Sequence, residues 1–178
     1  MFKITRRAWC AAMLAASLPF AHGCEGEPVD PYFELGQGES LWQGLEGSTR
    51  LKLVLGGQGA FMFPIAVRGA GFVLPDNPTQ FNHPDAPVVD ITVEIEGYAN
   101  NSGVFARLTG FPIPFTILDD GTYEYFYIAV LAPDSLADPM EIHNKPVKIE
   151  ATLTPIEGEP MTHTYEMTVL SNLPPLGF

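Results

Sequence analysis

The chain has 178 residues, 46% of them hydrophobic and only 17% charged, which excludes a disordered acidic chain and allows one domain with a proper core. Its 17 glycines and 17 prolines occur without collagen-like or low-complexity repetition, so they mark many turns between short segments. The formal net charge of -12 repels phosphates and anionic headgroups, which excludes nucleic acid as a partner and reads as solubility outside the cytoplasm.

The first 23 residues read as a signal peptide. Lys3, Arg6 and Arg7 form a positive start with no acid, and residues 8–20 follow as an apolar run. That run is too short for a membrane-spanning helix, which needs about 20 residues, but it suits an export signal. Pro19 closes it, and Ala21, His22 and Gly23 lead to Cys24. This segment resembles the lipobox of bacterial lipoproteins, in which a cysteine is acylated and becomes the first residue of the mature protein. Gly23 and Cys24 match that pattern. Ala21 and His22 differ from the usual Leu and small residue, which leaves ordinary cleavage after Ala21 or Gly23 as the alternative. Cys10 would leave with the leader, so Cys24 would be the single thiol of an exported chain, with no disulfide partner. Acylation consumes that thiol. Thr5-Arg6-Arg7-Ala8-Trp9 also resembles a twin-arginine export signal.

Once the leader is gone, six basic and 21 acidic residues remain, because Lys3, Arg6 and Arg7 account for three of the nine bases. Residues 24–31 read as a short acidic tether. Its seven residues after the cysteine span at most about 25 Å when extended, which would hold the domain near the membrane.

From residue 32 to 178 the pattern is that of one β domain. Leu51, Leu53 and Leu55 alternate with Lys52 and Val54, predicting a half-covered strand. Gly56-Gly57-Gln58-Gly59 lacks the Lys-Ser/Thr of a phosphate loop and reads as a turn. Residues 61–68 read as a strand in which Pro64 removes one ladder donor, predicting an edge or a bulge. Ile91, Val93 and Ile95 alternate with Thr92, Glu94 and Glu96. Residues 111–118 and 122–131 read as strands joined by Asp119-Asp120-Gly121, a hairpin turn whose glycine tolerates positive φ. The second of these, apolar on both faces, reads as a central covered strand. Residues 134–142, after Pro133, offer the one place for a short helical turn. Residues 147–154 alternate again, and so do residues 161–169, with Thr162, Thr164, Glu166 and Thr168 outward. The total is about eight strands, predicting an all-β, antiparallel β-sandwich that is immunoglobulin-like only in the loose sense.

Chemistry-bearing motifs are sparse. There is no G-x-S-x-G, C-x-x-C, H-E-x-x-H or EF-hand loop. His83 reads as a turn residue. Met161, His163 and Met167 on one strand, with Met140 and His143 before it, have the soft donors that suit copper. They also fit a core face that accommodates one imidazole. Asp119, Asp120, Asp134 and Asp138 could surround calcium in loops at one end of a sandwich, and turn chemistry accounts for each separately. Trp42, Tyr98, Tyr123 and Tyr125 could stack on sugars or line an interface, and are equally good sheet residues. No catalytic residue, cofactor site or metal site is assigned. The one assigned site is lipidation at Cys24.

Two patches occur in order. Phe33-Glu34-Leu35-Gly36-Gln37-Gly38-Glu39 precedes Leu53-Val54-Leu55-Gly56-Gly57-Gln58-Gly59, then Phe61-Met62-Phe63-Pro64 and Arg68. This ordering, over residues 33 to 68, resembles uncharacterised bacterial exported lipoproteins of Gram-negative species. The resemblance implies an envelope location and a β-sandwich, and names no catalytic residue. The expected role is a non-enzymatic binding or adhesion module, anchored through lipid on Cys24, with an envelope protein or glycan as ligand. Glu25 lacks the Asp character that marks inner-membrane retention, which points to the outer membrane. The alternatives are metal handling and a hydrolase with an unrecognised site.

Overall fold

Alternation of apolar and polar residues becomes two facing sheets in the computed structural model, which describes residues 29–38 and 41–174. The expected export signal, Cys24 and the first part of the expected tether lie outside the described residues. The strands are β1 (Tyr32–Gln37), β2 (Gln43–Gly44), β3 (Arg50–Lys52), β4 (Val54–Leu55), β5 (Phe61–Ala70) and β6 (Val88–Ile95). They continue as β7 (Ala106–Pro112), β8 (Thr116–Ile117), β9 (Tyr123–Leu131), β10 (Pro146–Thr154) and β11 (Met161–Leu170). The first sheet runs β2-β1-β5-β9-β8, with β4 also on β5; the second runs β3-β11-β10-β6-β7. The expected all-β sandwich is therefore what the chain forms. Seven strands have six or more residues, and the other four are short pieces. One pair departs from the antiparallel expectation: β3 lies parallel to β11, Leu51 opposite Val169.

The core is built where alternation is strict. Val89, Ile91, Val93 and Ile95 of β6 are buried, as are Val147, Ile149, Ala151 and Leu153 of β10. Facing them, Phe33 and Leu35 of β1, Phe63, Ile65 and Val67 of β5, and Ile128 and Val130 of β9 belong to the same cluster. At roughly 25 cal/mol per Å² of apolar surface, this burial is the main term stabilising the fold.

Three strand expectations are corrected, each by tertiary context. Leu51, Leu53 and Leu55 do not share a face. The Leu53 N–H donates to Leu170 O at 2.9 Å, after which the chain leaves β11 and joins β5. Changing sheets reverses the sense of inside, so Val54 is buried and Leu55 is 46% exposed. Second, residues 61–68 form an interior strand and not an edge, while the expected alternative, a bulge, does occur in its ladder with β9 between Ile65 and Val67. Phe61 O accepts from Ala132 and Ala60 O from Gly56, so successive peptide groups face β9 and then the β4 side. By that alternation the nitrogen of Pro64 faces the β4 side, where β4 pairs up to Met62 and β1 begins at Ile65. The missing donor falls in the gap between two neighbours. Third, residues 111–118 are shared between sheets: Phe111 and Pro112 end β7, Ile113, Pro114 and Phe115 cross through the core buried, and Thr116 starts β8.

β9 is only half covered. Its ladder with β5 shifts between Ile65 and Val67, leaving Phe126 and Tyr127 opposite Ala66. Tyr127 sits at φ 80 and is exposed. This bulge is where the expected fully buried strand turns outward. The Asp119-Asp120-Gly121 turn forms as read, with Gly121 at φ 82 and its N–H on Leu118 O at 2.9 Å. The helical turn is a single 3₁₀ turn at Pro139–Ile142, later than its expected start, because Asp138 caps it by accepting the Met140 N–H at 2.9 Å.

Ile149 sits mid-ladder between Val93 and Tyr165 with no exposure. Ile149→Ala is expected to cost about 2–5 kcal/mol, whereas Glu150→Ala on the wet face stays within about 0.5 kcal/mol. Urea midpoints of the two variants check this.

Candidate functional site

β11 is the edge of its sheet over most of its length. It pairs with β10 from Met161 to Thr168 without a shift of register. On its other side β3 covers Thr168, Val169 and Leu170 alone. The Val169 N–H donates to Lys145 O at 2.9 Å on the β10 side, and the Thr168 N–H donates to Thr49 O at 3.1 Å on the other. Peptide groups alternate along a strand, so those of Thr162, Thr164 and Glu166 point away from β10, as Thr168 does. Among the described residues none hydrogen-bonds them.

A groove of about 710 Å³ runs beside this edge, between β1 and β11. Tyr32 and Phe33 form one wall, His163 and Tyr165 the other, and the loop from Leu45 to Thr49 closes one end. Two contacts set its width. The Leu35 N–H donates to the Tyr165 hydroxyl at 3.1 Å, and Phe33 meets His163 edge-on with ring centroids 4.8 Å apart. Glu34, Glu46 and Glu166 line the groove, and among the described residues no Lys or Arg does. Burial pushes the Tyr165 phenol above its ordinary value; Leu35's donor opposes this and the Glu34 and Glu46 carboxylates add to it.

No family model, curated protein or solved structure matches the chain. The site therefore rests on its own geometry.

The residues singled out as soft donors are not brought together. Met161, His163 and Met167 share one side of β11, but a rise of about 3.3 Å per residue puts Met161 and Met167 roughly 20 Å apart. No single ion bridges that span. The reading of this strand as a continuous core face is also corrected. Met167 and Val169 are buried, whereas His163 is exposed and Met161 and Tyr165 are half-buried, because this stretch faces the groove. Met140 is exposed on the 3₁₀ turn. His143 accepts the Ser171 N–H on its Nδ1 at 3.1 Å. Ser171 is fully buried with its Oγ unpaired, so the imidazole holds the backbone of that serine and not its hydroxyl.

The four aspartates serve local turns or face solvent. Asp120 accepts the Thr122 N–H at 2.9 Å, and hydrogen bonds from Thr122 hold its carboxyl below the ordinary range. Asp138 caps the 3₁₀ turn, and Asp119 and Asp134 are exposed. Among the described residues no group of three or more His, Cys, Asp or Glu side chains could hold an ion. His83 lies in a turn, accepting the Asp85 N–H on Nδ1 at 3.1 Å, and the Gly56 to Gly59 segment is a turn closed by Gly59 N–H on Gly56 O.

The aromatics have structural partners. Tyr98 donates its hydroxyl to Glu141 O at 2.9 Å, Tyr123 packs on Phe72 and Phe115, and Tyr125 lies 6.1 Å from Phe111. Trp42 lies over Gly36, where any Cβ would come within 2.7 Å of its ring. Arg68 sits 4.6 Å from that ring and pairs with Glu124 at 2.5 Å, so its charge is already satisfied. A second depression, of about 450 Å³, lies where Lys148 stands between its cross-strand partners Glu94 and Glu166. Lys148 puts a base in the wall of that depression, which the lining of the β11 groove lacks. The β11 groove combines open backbone, aromatic walls and acidic side chains without an ion-pair partner among the described residues.

Tyr165→Phe removes the acceptor for Leu35 and is expected to lower stability by about 1 kcal/mol. Because the phenol is raised in the folded state, its contribution is present below about pH 10 and is lost as pH rises through the raised value. Urea titrations of wild type and variant from neutral to alkaline pH check both, the variant losing part of the alkaline slope.

Proposed function

We propose that this chain is a lipid-anchored protein of the bacterial cell envelope that acts as a non-enzymatic binding module. Gly23-Cys24 after an apolar leader supports the anchor. The open β11 edge beside an aromatic, acidic groove supports the binding role, and it is the observation that carries the reading. A groove with unpaired backbone donors and acceptors is suited to holding a ligand, and among the described residues none of its hydroxyls is hydrogen-bonded to its imidazole, His163.

The two parts fit together in space. The tether ends at residue 31 and β1 begins at Tyr32, which is itself on the wall of the groove. Anchored at Cys24, the domain would hold that groove within about 25 Å of the bilayer surface. The ligand would be another component of the envelope, and the outer membrane is the leaflet system that Glu25 favours.

Cells fed an alkyne fatty acid are expected to label the wild-type chain, with the label lost in Cys24→Ser and the variant moving from the membrane to the soluble fraction. Equal labelling of both chains would remove the anchor.

A further inference from the structure

We propose that the exposed edge of β11 takes up a basic, extended peptide segment of another envelope protein as an added strand; this deepens the binding reading and rests on it. Thr162, Thr164 and Glu166 each turn one donor and one acceptor outward with no partner among the described residues. An extended segment lying along them satisfies these groups by continuing the sheet.

The other edges of the sandwich are blunted. β7 carries a register shift opposite Val89 and Ile91, a positive-φ Gly110 and Pro112. The open part of β9 carries the Phe126–Tyr127 bulge. β1 is covered by β2 and by the Leu45 N–H on Leu35 O. From Met161 to Glu166, β11 has no Lys, no Pro and no bulge, the devices that ordinarily keep strands from joining an edge. This edge is left straight and open.

Charge selects the occupant. Side chains of an incoming strand alternate, one set entering the groove against Tyr32, Phe33 and Tyr165, the other lying beside Thr162 and Thr164. Glu34, Glu46 and Glu166 line the position, and among the described residues none of them forms an ion pair: Arg68, opposite Glu34, pairs with Glu124, and Lys148, opposite Glu166, pairs with Glu150. A segment with apolar side chains at alternate positions and Lys or Arg between them fits both demands. A second copy of this chain fits less well, since a molecule of net charge -12 would bring its own Glu166 into an acidic groove.

The test uses the purified full-length protein in detergent and two synthetic peptides matched to β11 in length, one alternating valine with lysine, the other valine with glutamate. The lysine peptide is expected to bind and to weaken as salt rises. The glutamate peptide is expected to bind at least about tenfold less tightly. Thr164→Pro removes an outward N–H that the β10 ladder does not use, so it is expected to fold and to lose lysine-peptide binding about tenfold or more. Should that variant misfold, amide exchange on the wild type carries the test: the Thr162, Thr164 and Glu166 amides slow when the lysine peptide is added. Glu34→Lys with Glu46→Lys is expected to reverse the preference between the peptides. Absence of binding, equal binding of both peptides, or self-association through β11 in sedimentation overturns the proposal. An envelope component retained equally by wild type and Thr164→Pro also overturns it while leaving the binding-module reading intact; retention of none sinks both.

Discussion

A strand can bury only every second side chain, and this domain is organised around that restriction. β6 and β10 obey it without interruption, sending Ile91, Val93, Ile149 and Ala151 into the core and Thr92, Glu94 and Glu150 to water. The opposing layer of Phe33, Phe63, Ile65 and Val130 has no other place to go. With those two apolar faces pressed together, the lengths of the loops, the positions of the sheet changes and the location of the open edge are all consequences.

Where the chain moves between layers, the rule is kept by reversing its phase. Leu53 and Val54 are adjacent and both buried because they belong to different sheets. Ile113, Pro114 and Phe115 are three buried residues in a row because they pass through the core from β7 to β8. Pro64 is tolerated inside a ten-residue interior strand because its nitrogen meets the gap between β4 and β1. Each departure from strict alternation is a place where the path of the chain changed.

Much of the fold was legible for that reason, and the rest was hidden for the same reason. The alternation at residues 91–96 and 147–154 defined the two best strands, and Asp119-Asp120-Gly121 defined a hairpin whose glycine does adopt positive φ. Periodicity cannot say which sheet a strand joins, so the switch at Leu53 and the crossing at residues 113–115 were read as single strands. Pro64 reads as an edge or a bulge because a sequence shows the missing donor and not the gap opposite it. The groove was less legible. His163 and Tyr165 stood in an apparently apolar face, but burial depends on what lies across from them, and that is the edge of β1. Glu34 and Glu46, distant from β11 in sequence, could not be linked to it. One signal was present and passed over: a strand pattern from Met161 to Glu166 without a Lys or a Pro to guard it.

The placement of β1 has a mechanical meaning. It is the first strand among the described residues, and it is not a peripheral one: six consecutive residues, Tyr32 to Gln37, are matched in register to β5. If the chain is anchored through Cys24 as proposed, tension along the axis of β1 would load the rungs of that ladder together instead of one after another. Resistance to forced unfolding is set by the unfolding rate. Under that proposal the groove, one wall of which is that same strand, would keep its shape while the leash is under load.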